Sequence, residues 1–318
     1  MKVSVVIPTY NKLDQLRRTL GSLAAQDLAP DAFETVVIDD GSRDGTLAYL
    51  ESHRPAHGFR VVRGETNRGR AAARNLGLET AEGGLIVFLD DDMELVPGFL
   101  RAHLEFHRSH ANSVGVGNVQ NHPEVSAAPI DRYMSTRGAQ KIKGRGPLPW
   151  KYFTTNNASL RKEELTAVGG FDENFVFYGF EDLELAWRLV RDRGLSIGFV
   201  TEARSLHIHA HSLEDVLAKK TLCGRSSLPY LFQKHPETRP ALGFHRFDPP
   251  RAGEGVGLNL SRILYRTLLT RPVYRAVKPL AGIDLGGLTD KVIDYLVQYH
   301  YLQGLRNPQT ADGQDRSG

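Results

Sequence analysis

Three consecutive carboxylates, Asp90, Asp91 and Asp92, close an apolar run that reads LIVFL over residues 85–89. Acids packed this tightly repel one another unless a cation or a donor-rich ligand sits among them. Side chains alternate along a strand, so Asp90 and Asp92 share one side if the strand conformation continues. Two carboxylates on one side suit a hard divalent cation such as Mg2+ or Mn2+. The same residues suit an acidic turn before a helix, with Asp92 or its neighbour as cap. A second acidic pair, Glu181-Asp182, opens a helical stretch whose Leu183, Ala186, Trp187 and Val190 form an apolar face. Acids in a first helical turn are ordinary dipole chemistry; aimed into a crevice by a rigid helix, one of them becomes a general base. Residues 206–211 read LHIHAH. As a strand they would put His207, His209 and His211 on one face, and neutral imidazoles ligate metals. A zinc site of three histidines is one reading; one Mn2+ or Mg2+ shared with the Asp cluster is the simpler one.

The elements that position these groups follow a βαβ rhythm over residues 2–120. Strands are expected at 3–7, 35–38, 60–63, 85–89 and 114–119. The 85–89 run does not alternate, as befits a strand buried on both faces of a parallel sheet. Helices are expected at 13–23, capped by Asn11, from about residue 45, at 69–80 and at 97–110. In such sheets ligands bind outside the carboxyl ends of the strands. Residues 9–11, Asp39-Asp40 and residues 90–92 all fall there. The first strand leads into PTYNKLDQL, with no Gly-rich phosphate turn, and no GxxxxGK[ST] stretch occurs. A nicotinamide cofactor and a P-loop nucleotide site are both disfavoured. Residues 121–151 are rich in Pro, Gly, Ser and basic side chains and read as a long loop over the site. Order returns at 154–160, and helices at 162–168, 179–194 and 213–233 complete the pattern.

With 318 residues, 41% hydrophobic content and a formal net charge of +3, the chain has the composition of a globular α/β protein and none that argues for nucleic acid. A single cysteine, Cys223, excludes a disulfide framework and favours a reducing compartment. The N-terminal apolar run is too short for a signal peptide, and no run approaches a membrane span. The expectation is a cytoplasmic protein.

Taken together, VSVVIPTYNKLDQLRRTLGSL, ETVVIDDGSRDGT, ETNRGRAAARNLGLETAEG, LIVFLDDDMELVPGFL, NNASLRKEELTAVGGFDENF and GFEDLELAWRLVRDRG occur in the order and spacing of one family. With the LHIHAHSLEDVL stretch they cover roughly residues 2–235, and the chain resembles the family 2 glycosyltransferases of GT-A fold. The resemblance implies a mostly parallel, Rossmann-like sheet flanked by helices, with a helical C-terminal extension. It implies a catalytic domain at 1–240; beyond it the residue pattern reads as a helical extension at 241–306 and, by its polar composition, a disordered tail at 307–318. The resemblance further implies that Pro8, Thr9, Tyr10 and Asp39 hold the nucleotide base and that Arg70, or Arg68, lies near base or phosphates. Asp90 and Asp91 would meet the ribose. Asp92 would hold Mn2+ or Mg2+, completed by His207 or, as second choice, His209. Asp182, paired with Glu181, would be the catalytic base, and Phe171-Asp172 would line the acceptor side. The activity implied is inverting transfer from a nucleotide-diphosphate sugar, by family a UDP-sugar, to a carbohydrate or lipid-linked acceptor. A catalytically silent sugar-nucleotide-binding scaffold on the same fold is the alternative. A sugar-nucleotide-forming nucleotidyltransferase would show a Gly-rich basic turn after the first strand, where this chain has PTYNKLD.

Past residue 240 the resemblance ends. Residues 251–280 carry Arg251, Arg262, Arg266, Arg271, Arg275 and Lys278 against one acid, Glu254. Leu260, Ile263, Leu264 and Leu268 give a helix an apolar side. Such a helix can lie on an anionic membrane surface. The reading favoured by the sequence is that its apolar side packs on the protein and its basic face is solvated. A last helix is expected at 290–302.

Overall fold

The computed structural model describes residues 1–125, 128–136, 138–141 and 146–309. In chain order the elements are β1 Val3–Thr9, α1 Leu13–Ala24, β2 Phe33–Asp39, α2 Thr46–Ser52, β3 Gly58–Arg63, α3 Arg70–Thr80, β4 Leu85–Leu89 and β5 Met93–Leu95. They continue with α4 Phe99–Ser109, β6 Ser113–Asn121, α5 Pro129–Ser135, β7 Asn157–Arg161, α6 Lys162–Ala167, α7 Glu181–Arg193 and β8 Ser196–His207. The rest is helical: α8 Leu213–Arg225, α9 Ser227–Lys234, α10 Thr238–Ala241, α11 Val256–Leu268, α12 Arg271–Val277 and α13 Gly287–Arg306.

Among the described residues, eight strands form one sheet in the order β3-β2-β1-β4-β7-β6-β8-β5. Neighbours β3, β2, β1 and β4 are parallel, as are β6 and β8; β7 and β5 run against their neighbours. The chain winds outward from β1 in one direction to β3 and then returns to place β4 on its other side. The carboxyl ends of β1 and β4 therefore flank a topological switch point, the position where open α/β sheets bind ligands.

Helices cover both faces. Val6, Val36, Ile38, Ile86 and Phe88 pack with α3 and with Leu185, Ala186 and Leu189 of α7. Val5, Ile7, Leu85, Val87 and Leu89 pack with Leu16, Leu20 and Leu23 of α1 and with Phe99 and Leu100 of α4. Every residue of β4 is buried, which is what its unalternated apolar run requires.

Several expectations change at this level. Asn11 does not cap α1: it stands at a left-handed φ of 51° and accepts the Arg43 N–H, while Asp44 Oδ2 takes the Leu13 N–H at 3.1 Å. The buried face of α7 is Leu185, Ala186 and Leu189, with a buried Glu184 neutralised by Arg188 at 2.7 Å; Leu183, Trp187 and Val190 are only half-buried. Residues 121–151 are not a plain loop, since α5 and a 3-10 turn at Gly138–Lys141 lie within them. The basic KIKGR stretch falls largely outside the described residues. The 213–233 helix is broken at Ser226 into α8 and α9.

The chain divides into two compact units, residues 1–126, 134–176 and 181–210 forming the first and residues 127–133, 177–180 and 211–318 the second. Resemblance places a boundary at 240, where motif matching ends; packing changes at 211. The sheet lies wholly in the first unit. In the second, α11 overturns the packing expected from sequence. Arg262 is its one buried residue, while Leu260, Ile263, Leu264 and Leu268 face outward. No helix among the described residues is long and apolar enough to cross a membrane.

Candidate active site

The strand β4 stops at Leu89, so the three acids after it do not alternate; they fan out to different partners. Asp90 reaches Arg74, with Nη2 3.2 Å from Oδ1. Asp91 accepts the Thr9 hydroxyl at 2.7 Å from the end of neighbouring β1. Asp92 meets Lys12 Nζ at 2.7 Å and His207 Nε2 at 3.5 Å. Lys12 also lies 3.5 Å from Asp91. In place of an Asp90–Asp92 pair, Asp91 and Asp92 share Lys12, and Asp90 turns to Arg74.

A short strand absent from the sequence reading creates the Asp92–His207 approach. Met93 of β5 pairs antiparallel with His207 at the end of β8, and the Ile208 N–H bonds the Asp92 carbonyl at 3.0 Å. Thr19 on α1 fixes the turn from below, donating to the Asp91 carbonyl at 2.8 Å and accepting the Met93 N–H at 3.1 Å. Burial works against the Asp92 anion, but His207 and Lys12 outweigh it and hold its carboxyl well below the usual range. Asp91 goes the other way: burial pushes it up to about 6, against the pull of Lys12.

The second acid pair joins the first through α3. Arg74 is buried, and its Nη1 lies 2.9 Å from Glu181 Oε1 while Nη2 reaches Asp90. One guanidinium thus ties the start of α7 to the end of β4. The fork geometry of Arg suits this bridging role better than an ammonium. Its other side lies over the Phe171 ring, 5.6 Å from the centroid. Phe171 is itself buried, edge-on to Phe88, and Asp172 beside it accepts the Asn174 N–H.

Glu181 is held by Arg74, whereas the half-buried Asp182 accepts only the N–H of Leu183 among the described residues. Burial, and next the charge of Glu181, push the Asp182 carboxyl up to about 7, with Arg74 and Arg70 opposing. A carboxyl near neutrality is one able to take up a proton at working pH. Among the described residues, the two non-glycine residues with positive φ, Asn11 and Phe180, directly precede Lys12 and Glu181. Backbone strain of this kind concentrates at functional sites.

At the β2 end, Asp39 is buried and accepts the Ser42 N–H at 3.0 Å. Asp40 accepts the N–H groups of Arg68 and Gly69, each at 2.9 Å, and so shapes the turn that launches α3. Pro8 is half-buried, Thr9 buried and Tyr10 exposed at the β1 end. Arg68 and Arg70 are both exposed, with Arg68 paired to Glu173 at 2.9 Å. His209 lies beyond the end of β8, its exposed ring 6.2 Å from that of His207. The strand β8 ends at His207, so its alternation does not run on to His211, which belongs to the second unit, where its N–H and ring meet Asp131.

The donor set fits a divalent cation bound together with a substrate. Asp92 Oδ1 is buried without a hydrogen-bond partner, and His207 approaches the other oxygen. Among the described residues no group of three or more His, Cys, Asp or Glu is arranged to hold a metal alone. Mg2+ and its like commonly take one or two carboxylates plus substrate phosphates, so a two-residue anchor is enough.

Lys12 and Arg74 are the residues that reading the sequence missed. Lys12 follows a polar turn, and a lysine there has the pattern of a solvated side chain. Arg74 sits four residues after Arg70, on the same side of an Ala-rich helix, and that spacing was the available signal.

The mixed sheet flanked by helices, with acids at its switch point, is the GT-A architecture. Residues 4–171 match the family described as Glycosyl transferase family 2, and residues 138–212 match the N-terminal domain of galactosyltransferase. The first match spans more than half of the chain, and the chain belongs to glycosyl transferase family 2. It is 26% identical over 319 residues to the uncharacterized glycosyltransferase YfnE of Bacillus subtilis, covering 83% of this chain and 79% of that one. It is 34% identical over 216 residues to a validoxylamine A glucosyltransferase of Streptomyces hygroscopicus, covering 59% of this chain and 47%, or about half, of that relative. Among solved structures, the mannosyltransferase PcManGT from Pyrobaculum calidifontis, in complex with GDP-Man and Mn2+, superposes with a TM-score of 0.61 at 18% identity. That match covers 98% of this chain and 88% of the other. Staphylococcus aureus TarS 1–349 in complex with UDP gives 0.56 at 21% identity, covering 95% and 90%. These structural likenesses establish the fold.

Proposed function

We propose that the protein transfers a sugar from a UDP-sugar to an acceptor hydroxyl with inversion, using Asp182 as general base. The observation carrying this reading is the chain of contacts from the Asp90–Asp92 turn through Arg74 to Glu181, which puts a carboxyl of near-neutral pKa beside the acid cluster. Pro8, Thr9, Tyr10 and Asp39 take the base, Asp90 and Asp91 the ribose, and Arg70 the base or phosphates. Asp92 and His207 hold Mn2+ or Mg2+, with His209 as the alternative ligand. When bound, the cation supplies charge stabilisation to the departing diphosphate. Asp182 accepts the acceptor's proton as that oxygen forms its bond to the anomeric carbon, while the bond from that carbon to the diphosphate breaks on the opposite face. Glu181, locked to Arg74, orients its neighbour. Phe171, buried against Arg74, acts on the acceptor side by supporting that cation and Asp172.

UDP is preferred by family and by the UDP complex of TarS; the GDP-Man complex of PcManGT makes GDP the comparison to run. Incubation with a panel of nucleotide sugars plus Mn2+, Mg2+ or EDTA, scoring released nucleoside diphosphate, tests the reading. Metal-dependent release from a UDP-sugar is expected. Release unaffected by EDTA removes the cation from the proposal, and release from GDP-sugars alone corrects the nucleotide.

A further inference from the structure

Helix α11 carries its apolar residues on the outside. Val256, Leu260, Ile263, Leu264 and Leu268 recur at the spacing of one helical stripe, and their exposures run from 44% to 76%. The opposite side, where Arg262 and the following Leu269 are buried, is the one turned to the protein. This is an inversion of ordinary packing. Arg262 is held inside by the His245 and Pro249 carbonyls and by Glu254. The arrangement spends the segment's only acid on the buried arginine, while Arg251 pairs with Asp248 and Lys278 with Glu214, both outside the segment. Arg266, Arg271 and Arg275 are exposed and make no ion pair with any described residue. Arg266 borders the stripe on the helix itself; Arg271 and Arg275 lie on α12 immediately after it.

An exposed stripe of large aliphatic side chains rimmed by cations identifies what covers it. A second copy of this chain would set arginine against arginine across a two-fold interface, which is repulsive. A surface that is apolar in depth and negative at its rim matches both features at once. From this we propose that α11 and the start of α12 dock the protein on the surface of an anionic lipid bilayer. The leucines enter the acyl boundary and Arg266, Arg271 and Arg275 meet the headgroups. An in-plane amphipathic helix of this kind gains from buried apolar area and from anionic charge together. The proposal is independent of the reaction assigned to the first unit.

The full chain is floated with phosphatidylcholine vesicles with and without phosphatidylglycerol, at low and high salt. Binding to the anionic vesicles, weakened by salt, is expected. Arg266→Gln/Arg271→Gln/Arg275→Gln should lower the affinity by on the order of a hundredfold, since each cation near an anionic surface contributes a factor of about five. Leu260→Gln/Leu264→Gln should abolish binding. These positions are exposed, so both variants should keep the wild-type circular dichroism and nucleotide-sugar turnover, and this is checked alongside. Failure of the wild-type chain to float with anionic vesicles overturns the proposal. So does binding that Leu260→Gln/Leu264→Gln leaves intact. A concentration-dependent dimer that this variant dissolves assigns the stripe to a second copy and overturns it as well.

Discussion

Asp182 and Glu181 are adjacent acids made unequal by one arginine. Arg74 bonds Glu181 and leaves Asp182 with its own helix backbone. Asp182→Asn is expected to lower transfer by about 10²–10⁴-fold, the usual worth of general-base catalysis, with the donor's Kd unchanged; turnover near wild type would take Asp182 out of the mechanism. Because the base must be unprotonated and its pKa is pushed up to about 7, kcat/KM should rise with pH and level off above that value. A flat profile from pH 5 to 9 would contradict this. The same shift has a stability consequence of defined sign. The folded pKa exceeds the unfolded value of 3.8, so the folded state binds the extra proton between them. The contribution is fully present below about pH 4 and lost as pH rises through about 7. Thermal melts should show Tm falling across that window in wild type, and Asp182→Asn should remove that part of the slope.

Helix α3 shows how an element delivers a residue to a site. Its Arg74 can bridge β4 and α7 only because α3 lies close on the sheet, and Gly77 permits that approach. A Cβ at Gly77 would stand 2.3 Å from Val6 Cγ1 and 2.7 Å from Ile38 Cδ1. Gly to Ala in an exposed helix usually gains about 1 kcal/mol. Here the overlap reverses the sign, and Gly77→Ala should cost about 1–3 kcal/mol in urea unfolding. Arg74→Met tests the bridge itself. Removing one partner of a buried ion pair leaves the other charge uncompensated, so a loss of about 3 kcal/mol is expected, together with activity. A variant as stable as wild type would show that Glu181 and Asp90 do not depend on Arg74. The contrast with β5 explains what sequence reading reached at this scale. β4 announced itself by an apolar run ending in acids, and α3 by its alanines. β5 is three residues long, MEL, and carries no periodicity; only its pairing with β8 makes it a strand. Its absence from the sequence reading hid the reason that Asp92 and His207 meet. Lys12 and Arg74 were hidden for a related reason, since long cations in polar turns or helices look solvated until their partners arrive from distant strands.

At the scale of the whole molecule, the first unit was legible because apolar runs ending in polar clusters, separated by helical stretches, all point to one sheet. The second was not, since an amphipathic helix such as α11 has the same pattern whether its apolar side turns inward or outward. Buried Arg262 and exposed Leu260 decide that only in three dimensions. The first unit also makes a prediction about how its ligands cooperate. The acid cluster is neutralised from within by Lys12 and Arg74, and no three-ligand metal group exists among the described residues. On the proposed reading, a divalent cation at Asp92 would take the phosphates of the nucleotide as further ligands, and the nucleotide would approach Asp90–Asp92 through the cation. Reciprocal coupling follows, each tightening the other by the same factor. Mn2+ alone or UDP alone should shift Tm little, whereas the two together at about 100 times Kd should add about 2.7 kcal/mol of stability. Asp92→Ala should abolish the excess while leaving the small UDP-only shift. A full shift with Mn2+ alone would mean that the protein builds a complete metal site by itself, and additive shifts would mean that cation and nucleotide do not share Asp92.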